Sequence, residues 1–491
     1  MRHLELGRNE VLSQTSRLSS EGFRLMDMFA VEGEPRRIEA LFRKGPEIVR
    51  LSYSPGSTAV PMSKVLPGAL PFERLMAEMS GIRFDDGPRE PIVYRRTGNG
   101  YPLQKTPYDR TTEARVPIRS NHTTGDDVFE IPVGPVHAGI IEPGHFRFSV
   151  AGEPVIELVP TLGYTHRGIE KLMEGPASCD RTCLVERISG DTCVANSLAY
   201  AGIMESDRDV PPRAKRIRTI LAEMERLHNH VASVSGVCTD TAFCVPSSIG
   251  GGIHEELLRM DRGLTGSRLL MNSIVPGGLR RDIPDAKLME LDDFLMEVKF
   301  EIEDLAATME SPALLDRLDG TGVLRKEDAV AIGAVGPIAR ASGIASDARR
   351  DLGYGMYGDL GMNVVTSEKG DVHSRTLVRF GEITESISMI HQCIQSMEPG
   401  DVRVQVAPED GFHVSVVEAP RGELVHCAEI RDGGIWRYSV RDPSFVNWFG
   451  MGHAVPGNVV PDFPLINKSF GLSYSGNDLR GESCSTNCCP I

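Results

Sequence analysis

From Pro211 to Val231 the sequence reads PPRAKRIRTILAEMERLHNHV, with apolar residues at Ile217, Ile220, Leu221, Met224, Leu227 and Val231. Spacings of three and four put such a series on one side of a helix and scatter it in a strand. Pro211-Pro212 suits the first turn, where a missing N–H costs nothing. A stripe of that length needs other helices to cover it. Helical patterns over 252–270, 286–309, 325–349 and 380–396 supply them, so the middle of the chain is predicted to be a helical body.

The flanks have a different texture. EALFRKGPEIVRLSYSPG (39–56) alternates like two strands around a Gly-Pro turn. FERLMAEMSGIRF (72–84) reads as one amphipathic helix that stops at Gly81. Strand patterns with Gly and Pro turns fill 131–160, and strands return over 401–440. The fold class is therefore α+β. A small α+β domain (1–105) and a polar linker (106–127) precede a large, mainly helical domain with flanking β segments (128–480). A cysteine-containing tail (481–491) follows.

Composition narrows the function classes. Lys+Arg 53 against Asp+Glu 68 gives a net charge of −15, which argues against nucleic acid as the partner. No apolar run approaches the ~18 residues of a membrane helix. The charged start MRHLELGRNEVL lacks an apolar signal core. The expected location is cytoplasmic, with membrane contact only through partners. Ten irregularly spaced cysteines fit reduced thiols better than a disulfide framework. Cys179 and Cys183 read as core residues. Cys484, Cys488 and Cys489 lack a fourth ligand and read as a silent tail. There is no GxGxxG after a strand and no phosphate-binding GxxxxGK[ST] loop, and Gly250–Gly252 reads as a turn before a helix. His228 and His230, two apart on a helix, point to different faces. His166 and Glu170, four apart, can share one, either as a ligand or relay pair or as a surface pair.

Several stretches carry a family signature. They are GPVH (134–137), GYTHRGIEKLMEG (163–175), VERISGD (185–191), the helix above, PGGLRRD (276–282), ASGIASDARRD (341–351), GDVHSRTLVRFGEITESI (370–387) and EAPRGELVH (418–426). In this order, over roughly 128–480, they resemble the large subunit of membrane-bound nickel–iron hydrogenases of the formate hydrogenlyase type. They equally resemble the large peripheral subunit of respiratory complex I that lines the quinone pocket. PGALPFERLMAEMSGIRFDDGP followed by YPLQKTPYD resembles the small neighbouring subunit of complex I.

The resemblance implies a site. Active hydrogenases of this family hold nickel and iron with two Cys-x-x-Cys pairs, since these metals need soft thiolates. Those positions here are Ser189, Thr192, Ser473 and Gly476, with Cys193 one place beyond. No metal is therefore expected, and a nickel–iron centre is disfavoured. Glu170, Asp240 and Arg421 match pocket acid and guanidinium positions, and His137 and His145 lie where a quinone-binding histidine is expected. The resemblance also implies iron–sulfur clusters in a small partner subunit, antiporter-like membrane subunits, and a formate- or NADH-oxidising module. The implied role is passing electrons from the partner's clusters to a quinone-like or other acceptor. A purely structural docking subunit, and a formate-linked hydrogenase subunit with unusual ligands, are the alternatives.

Overall fold

The computed structural model describes residues 1–89, 91–92, 100–105, 125, 127–137, 141–206 and 208–479. All of the linker except Gly125 and Asp127, and the whole tail with its three cysteines, lie outside the described residues.

The N-terminal unit comprises β1 (Arg2–Leu6), α1 (Val11–Ser20), β2 (Arg24–Val31), β3 (Arg37–Lys44), β4 (Glu47–Tyr53) and α2 (Leu70–Ser80). Its sheet runs β1-β4-β3-β2, with β1 parallel to β4. The predicted strand pair is β3–β4, turning where Lys44 faces Glu47. Helix α2 ends as expected at Gly81, whose φ of 68° is left-handed. A Cβ there would lie 2.3 Å from the Tyr101 ring.

Next come the antiparallel strands β5 (Phe129–Val133), β6 (His145–Val150) and β7 (Val155–Thr161). The helical body follows with α3 (Cys193–Glu205), α4 (Pro212–Asp240), α5 (Cys244–Thr265), α6 (Asp285–Met309) and α7 (Val372–Gln395). The antiparallel hairpins of β8 (Gly411–Ala419), β9 (Gly422–Arg431) and β10 (Gly434–Arg441) lead to α8 (Phe463–Phe470). The predicted stripe of α4 is buried at every position, against α5, α7 and α8. The N-terminal sheet rests on β8–β10: Met26, Phe29 and Leu41 share an apolar cluster with Val416, Val425 and Cys427. Arg441 Nε donates to the Met26 carbonyl at 2.7 Å across that seam.

Four expectations change. Helix α5 starts at Cys244, so Gly250–Gly252 lie inside it. Gly250 lets α5 approach α4 closely, since a Cβ there would sit 3.0 Å from Ser235 Cβ. The pattern over 325–349 is three short helices, Lys326–Ile332, Gly336–Ala341 and Ala348–Leu352. Gly333 and Gly336, at φ 72° and 69°, break it, and a Cβ on Gly336 would strike the Arg421 carbonyl at 2.3 Å. Helix α7 begins at Val372, eight residues before 380, because Asp371 caps it by accepting from the Ser374 N–H at 2.7 Å. Cys179 and Cys183 are exposed rather than core residues. Among the described residues no helix is long and apolar enough to cross a membrane.

Candidate functional site

A cleft of about 680 Å³ opens where the β5–β6 turn, the turn before α3, the C-terminal half of α4, the β8–β9 turn and the α8 end meet. Five residues singled out in the sequence line it together: His137, Ser189, Asp240, Arg421 and Ser473.

Its floor is a chain of hydroxyls. Ser189 Oγ and Ser473 Oγ, from the two motif positions 284 residues apart, lie 3.0 Å from each other. Ser189 donates its one proton to Asp191 Oδ1 at 2.7 Å, so it must accept from Ser473. Ser473 in turn accepts from Ser475 Oγ at 3.2 Å and from the Gly476 N–H at 2.9 Å. The order Ser475→Ser473→Ser189→Asp191 follows from donor counting alone.

Asp191 ends that chain on Arg421. The guanidinium grips the carboxylate with both ends, at 3.1 and 2.5 Å, and its Nε donates to the Gly471 carbonyl at 2.6 Å. Desolvation pushes the Asp191 carboxyl up, but the Arg421 charge outweighs it and holds the group well below the usual carboxylate range. Desolvation likewise disfavours the Arg421 cation, yet Asp191 leaves it raised.

The remaining two motif positions contribute no ligand atom to the floor. Thr192 Oγ1 is turned to the Ser189 carbonyl, 3.3 Å away. Gly476 has no side chain, and a Cβ there would lie 2.7 Å from the Asp442 carboxyl carbon. Cys193 is buried with its Sγ on the Leu269 carbonyl at 2.6 Å. Two serines, a threonine and a glycine do not fit a nickel–iron group, which calls for thiolates. Among the described residues no cluster of three His, Cys, Asp or Glu side chains is placed to hold a metal.

The other predicted residues divide. His137 stands at the mouth, its Nε2 3.5 Å from the Tyr474 hydroxyl. Asp240 is exposed at the end of α4, its carboxyl raised by partial burial and pulled back by Lys468. His145 starts β6 opposite Thr161 and is not on the cleft wall. Glu170 is fully buried elsewhere, accepting from Arg437 Nη2 and the Val440 N–H, each at 2.8 Å. His166 Nδ1 meets the Asp478 carbonyl at 2.8 Å, so it does not pair with Glu170. His228 and His230 do face opposite ways, to Asp261 and Glu382 at 2.9 and 2.8 Å. Burial pushes His230 down to about 4 despite Glu382. Burial also works against the His228 cation, but Asp261 leaves it raised.

The cleft residues that the sequence reading did not single out include Asp191, Glu142, Tyr474 and Ser475. Asp191 had a usable signal, a carboxylate set between the two positions of the first lost pair in ISGDTC. Behind Arg421 the packing holds buried ion pairs that also went unread. Arg340 meets Glu382 at 2.7 Å and Glu418 at 2.8 Å, and Arg349 meets Glu223 at 3.0 Å and Asp347 at 2.7 Å.

Comparison with known proteins places the chain in a family. The family described as "Respiratory-chain NADH dehydrogenase, 49 Kd subunit" matches residues 240–409. The chain is 32% identical over 424 residues to formate hydrogenlyase subunit 5 of Escherichia coli (strain K12), covering 85% of this chain and 73% of that protein. It is 32% identical over 402 residues to NADH-quinone oxidoreductase subunit 4 of Thermus thermophilus, covering 75% of this chain and 97% of the relative. Membrane-bound hydrogenase subunit alpha of Pyrococcus furiosus is 31% identical over 374 residues, 71% and 87% of the two chains.

Proposed function

The chain belongs to the family of formate hydrogenlyase subunit 5 and NADH-quinone oxidoreductase subunit 4, and from that premise we propose that it is an electron-transfer subunit of a membrane-associated oxidoreductase complex working without a nickel–iron centre. The observation that carries this reading is the 3.0 Å contact between Ser189 and Ser473. Two positions that hold thiolates in the hydrogenases meet in one cleft, and both are hydroxyls.

The cleft suits a quinone-like acceptor, which when bound supplies a two-electron, two-proton sink. Tyr474 and His137 would hold its oxygens, and Ile141, Phe463 and Leu472 offer the apolar wall. Arg421 holds the Asp191 carboxylate ionised, and that fixed charge orients the hydroxyls from Ser475 to Ser189 along the floor beneath the acceptor. Electrons would come from an iron–sulfur partner subunit fed by a formate- or NADH-oxidising module, above antiporter-like membrane subunits. The subunit would then sit on the cytoplasmic face of the membrane through those partners.

The test is nickel and iron content of the purified native complex, with hydrogen uptake and quinone reduction assayed on the same sample. Iron without nickel, no hydrogen uptake, and quinone reduction that drops in Tyr474→Phe support the reading. Stoichiometric nickel with hydrogen turnover overturns it. One observation favours a docking role instead: Asp191 already neutralises Arg421 without any ligand. Unchanged turnover in Arg421→Met and Asp240→Asn complexes, with assembly intact, would establish that second reading.

A further inference from the structure

A second cleft, of about 410 Å³, lies on the seam between the N-terminal unit and the segment 329–351, with none of its lining residues shared with the first. Its volume falls within the ~300–1,000 Å³ of small-molecule sites. One wall is apolar, with Leu25, Leu66, Phe72, Ile344 and Val446. The other carries Arg24, Arg43, Lys44 and Arg350 against the single carboxylate of Asp351. Such a surplus of cations is unexpected in a chain of net charge −15.

The ion pairs around the wall do not absorb that surplus. Glu423, behind it, is shared by three guanidiniums: Arg24 Nη2 and Arg43 Nε each bond Oε2 at 2.7 Å, and Arg441 holds Oε1. Asp351 is shared by Arg43 at 3.1 Å and Arg350 at 2.7 Å. Arg24 Nη1 is buried and has no hydrogen-bond partner among the described residues. A structural ion network matches its charges and satisfies its buried donors, because an unmet one is costly. This one leaves both an uncompensated charge and an open donor.

We propose that this seam is a binding site for a small organic phosphate, its phosphate on Arg24 and Arg350 and a flat apolar body against Leu25, Phe72 and Val446. A phosphate monoester carries about −1.5 to −2 at neutral pH, which suits several surplus cations better than a monocarboxylate does. Guanidinium forks match its oxygens in geometry as well as in charge. The site spans two units of the chain, so its occupancy would tighten their packing. It is independent of the redox reading above.

The test is calorimetric titration of the full-length protein with phenyl phosphate, inorganic phosphate and benzoate at constant ionic strength. One saturable site is expected for phenyl phosphate, with inorganic phosphate and benzoate weaker. Removing one charge-assisted hydrogen bond should weaken phenyl phosphate at least ~10-fold in Arg24→Gln. Arg350→Gln removes a half-exposed cation outside the Glu423 cluster, so it should fold normally, and weaker binding is expected there too. It decides the matter should Arg24→Gln fail to fold. Absence of saturable binding up to about 10 mM, a range spanning very weak affinities, would overturn the proposal. So would equal binding by the wild type and the folded variants, or benzoate binding as tightly as phenyl phosphate.

Discussion

Substituting Glu170 by Gln separates a structural role from a chemical one at a residue whose family resemblance points to the pocket. Its carboxylate is fully buried and bridges Arg437, itself 2% exposed, and the Val440 N–H of β10. The amide keeps an acceptor for Val440 but removes the charge that compensates Arg437. Leaving one member of a buried pair uncompensated costs about 3–5 kcal/mol. For a domain of this size that corresponds to a fall of roughly 4–7 °C in Tm. The assay is thermal unfolding of the purified complex beside turnover measured well below the transition. The expected result is a lower Tm with turnover per folded complex unchanged. Adding Arg437→Met should recover much of the loss, because removing both charges ends the uncompensated burial. An unchanged Tm with turnover abolished would refute the reasoning and put Glu170 back in the chemistry.

Three further outcomes are expected. Gly476→Ala places a methyl 2.7 Å from the Asp442 carboxyl, so overpacking should cost about 1–3 kcal/mol in a denaturant melt. The double variant Ser189→Cys, Ser473→Cys should lose two titratable thiols on mild oxidation, since its parent oxygens lie 3.0 Å apart; retention of both thiols would mean the two motifs do not meet. Asp191→Asn should show a pH-dependent deficit. The folded carboxyl lies below its unfolded value, so its stabilisation is present above the ordinary carboxylate range and fades as pH falls toward the lowered value. With the side chain 41% exposed, solvent screening keeps the deficit to about 1 kcal/mol or less, read from urea melts across pH 2–7.

The legible parts of the fold were those where one local rule acts alone. The α4 stripe, the Gly81 stop and the β3–β4 turn follow from periodicity and backbone conformation, and tertiary packing only completes them. Residues 325–349 have a helical pattern too, but Gly336 must pass within reach of the Arg421 carbonyl, and that demand comes from a hairpin 85 residues later in the chain. The Gly250–Gly252 run read as a turn because glycine disfavours helix; helix-on-helix contact with Ser235 overrode it. In the site, His137, Ser189, Asp240, Arg421 and Ser473 were named individually, and the structure supplied their convergence. Glu170 and His145 show where motif matching stops, since burial direction is set by neighbours that no local pattern records.

The details of the floor bear on whether the cleft is a working site or a relic. Removing four thiolates and two metal ions from beside a guanidinium would leave that cation facing a hole. Here the hole is closed: Ser189 and Ser473 bond each other, Gly476 gives its N–H to Ser473, and Asp191 takes both ends of Arg421. The two serines and the Gly476 N–H satisfy one another, and the Asp191 carboxylate balances the Arg421 charge. A decaying pocket accumulates unpaired buried groups, because nothing selects against them until stability fails. The hydroxyl floor has none among the described residues, while His137 and Asp240 stand at the open cleft mouth above the Tyr474 hydroxyl. A satisfied floor under an open, polar mouth is the arrangement that binding a neutral acceptor requires, and it is the physical reason to look for one before assigning the subunit to docking alone.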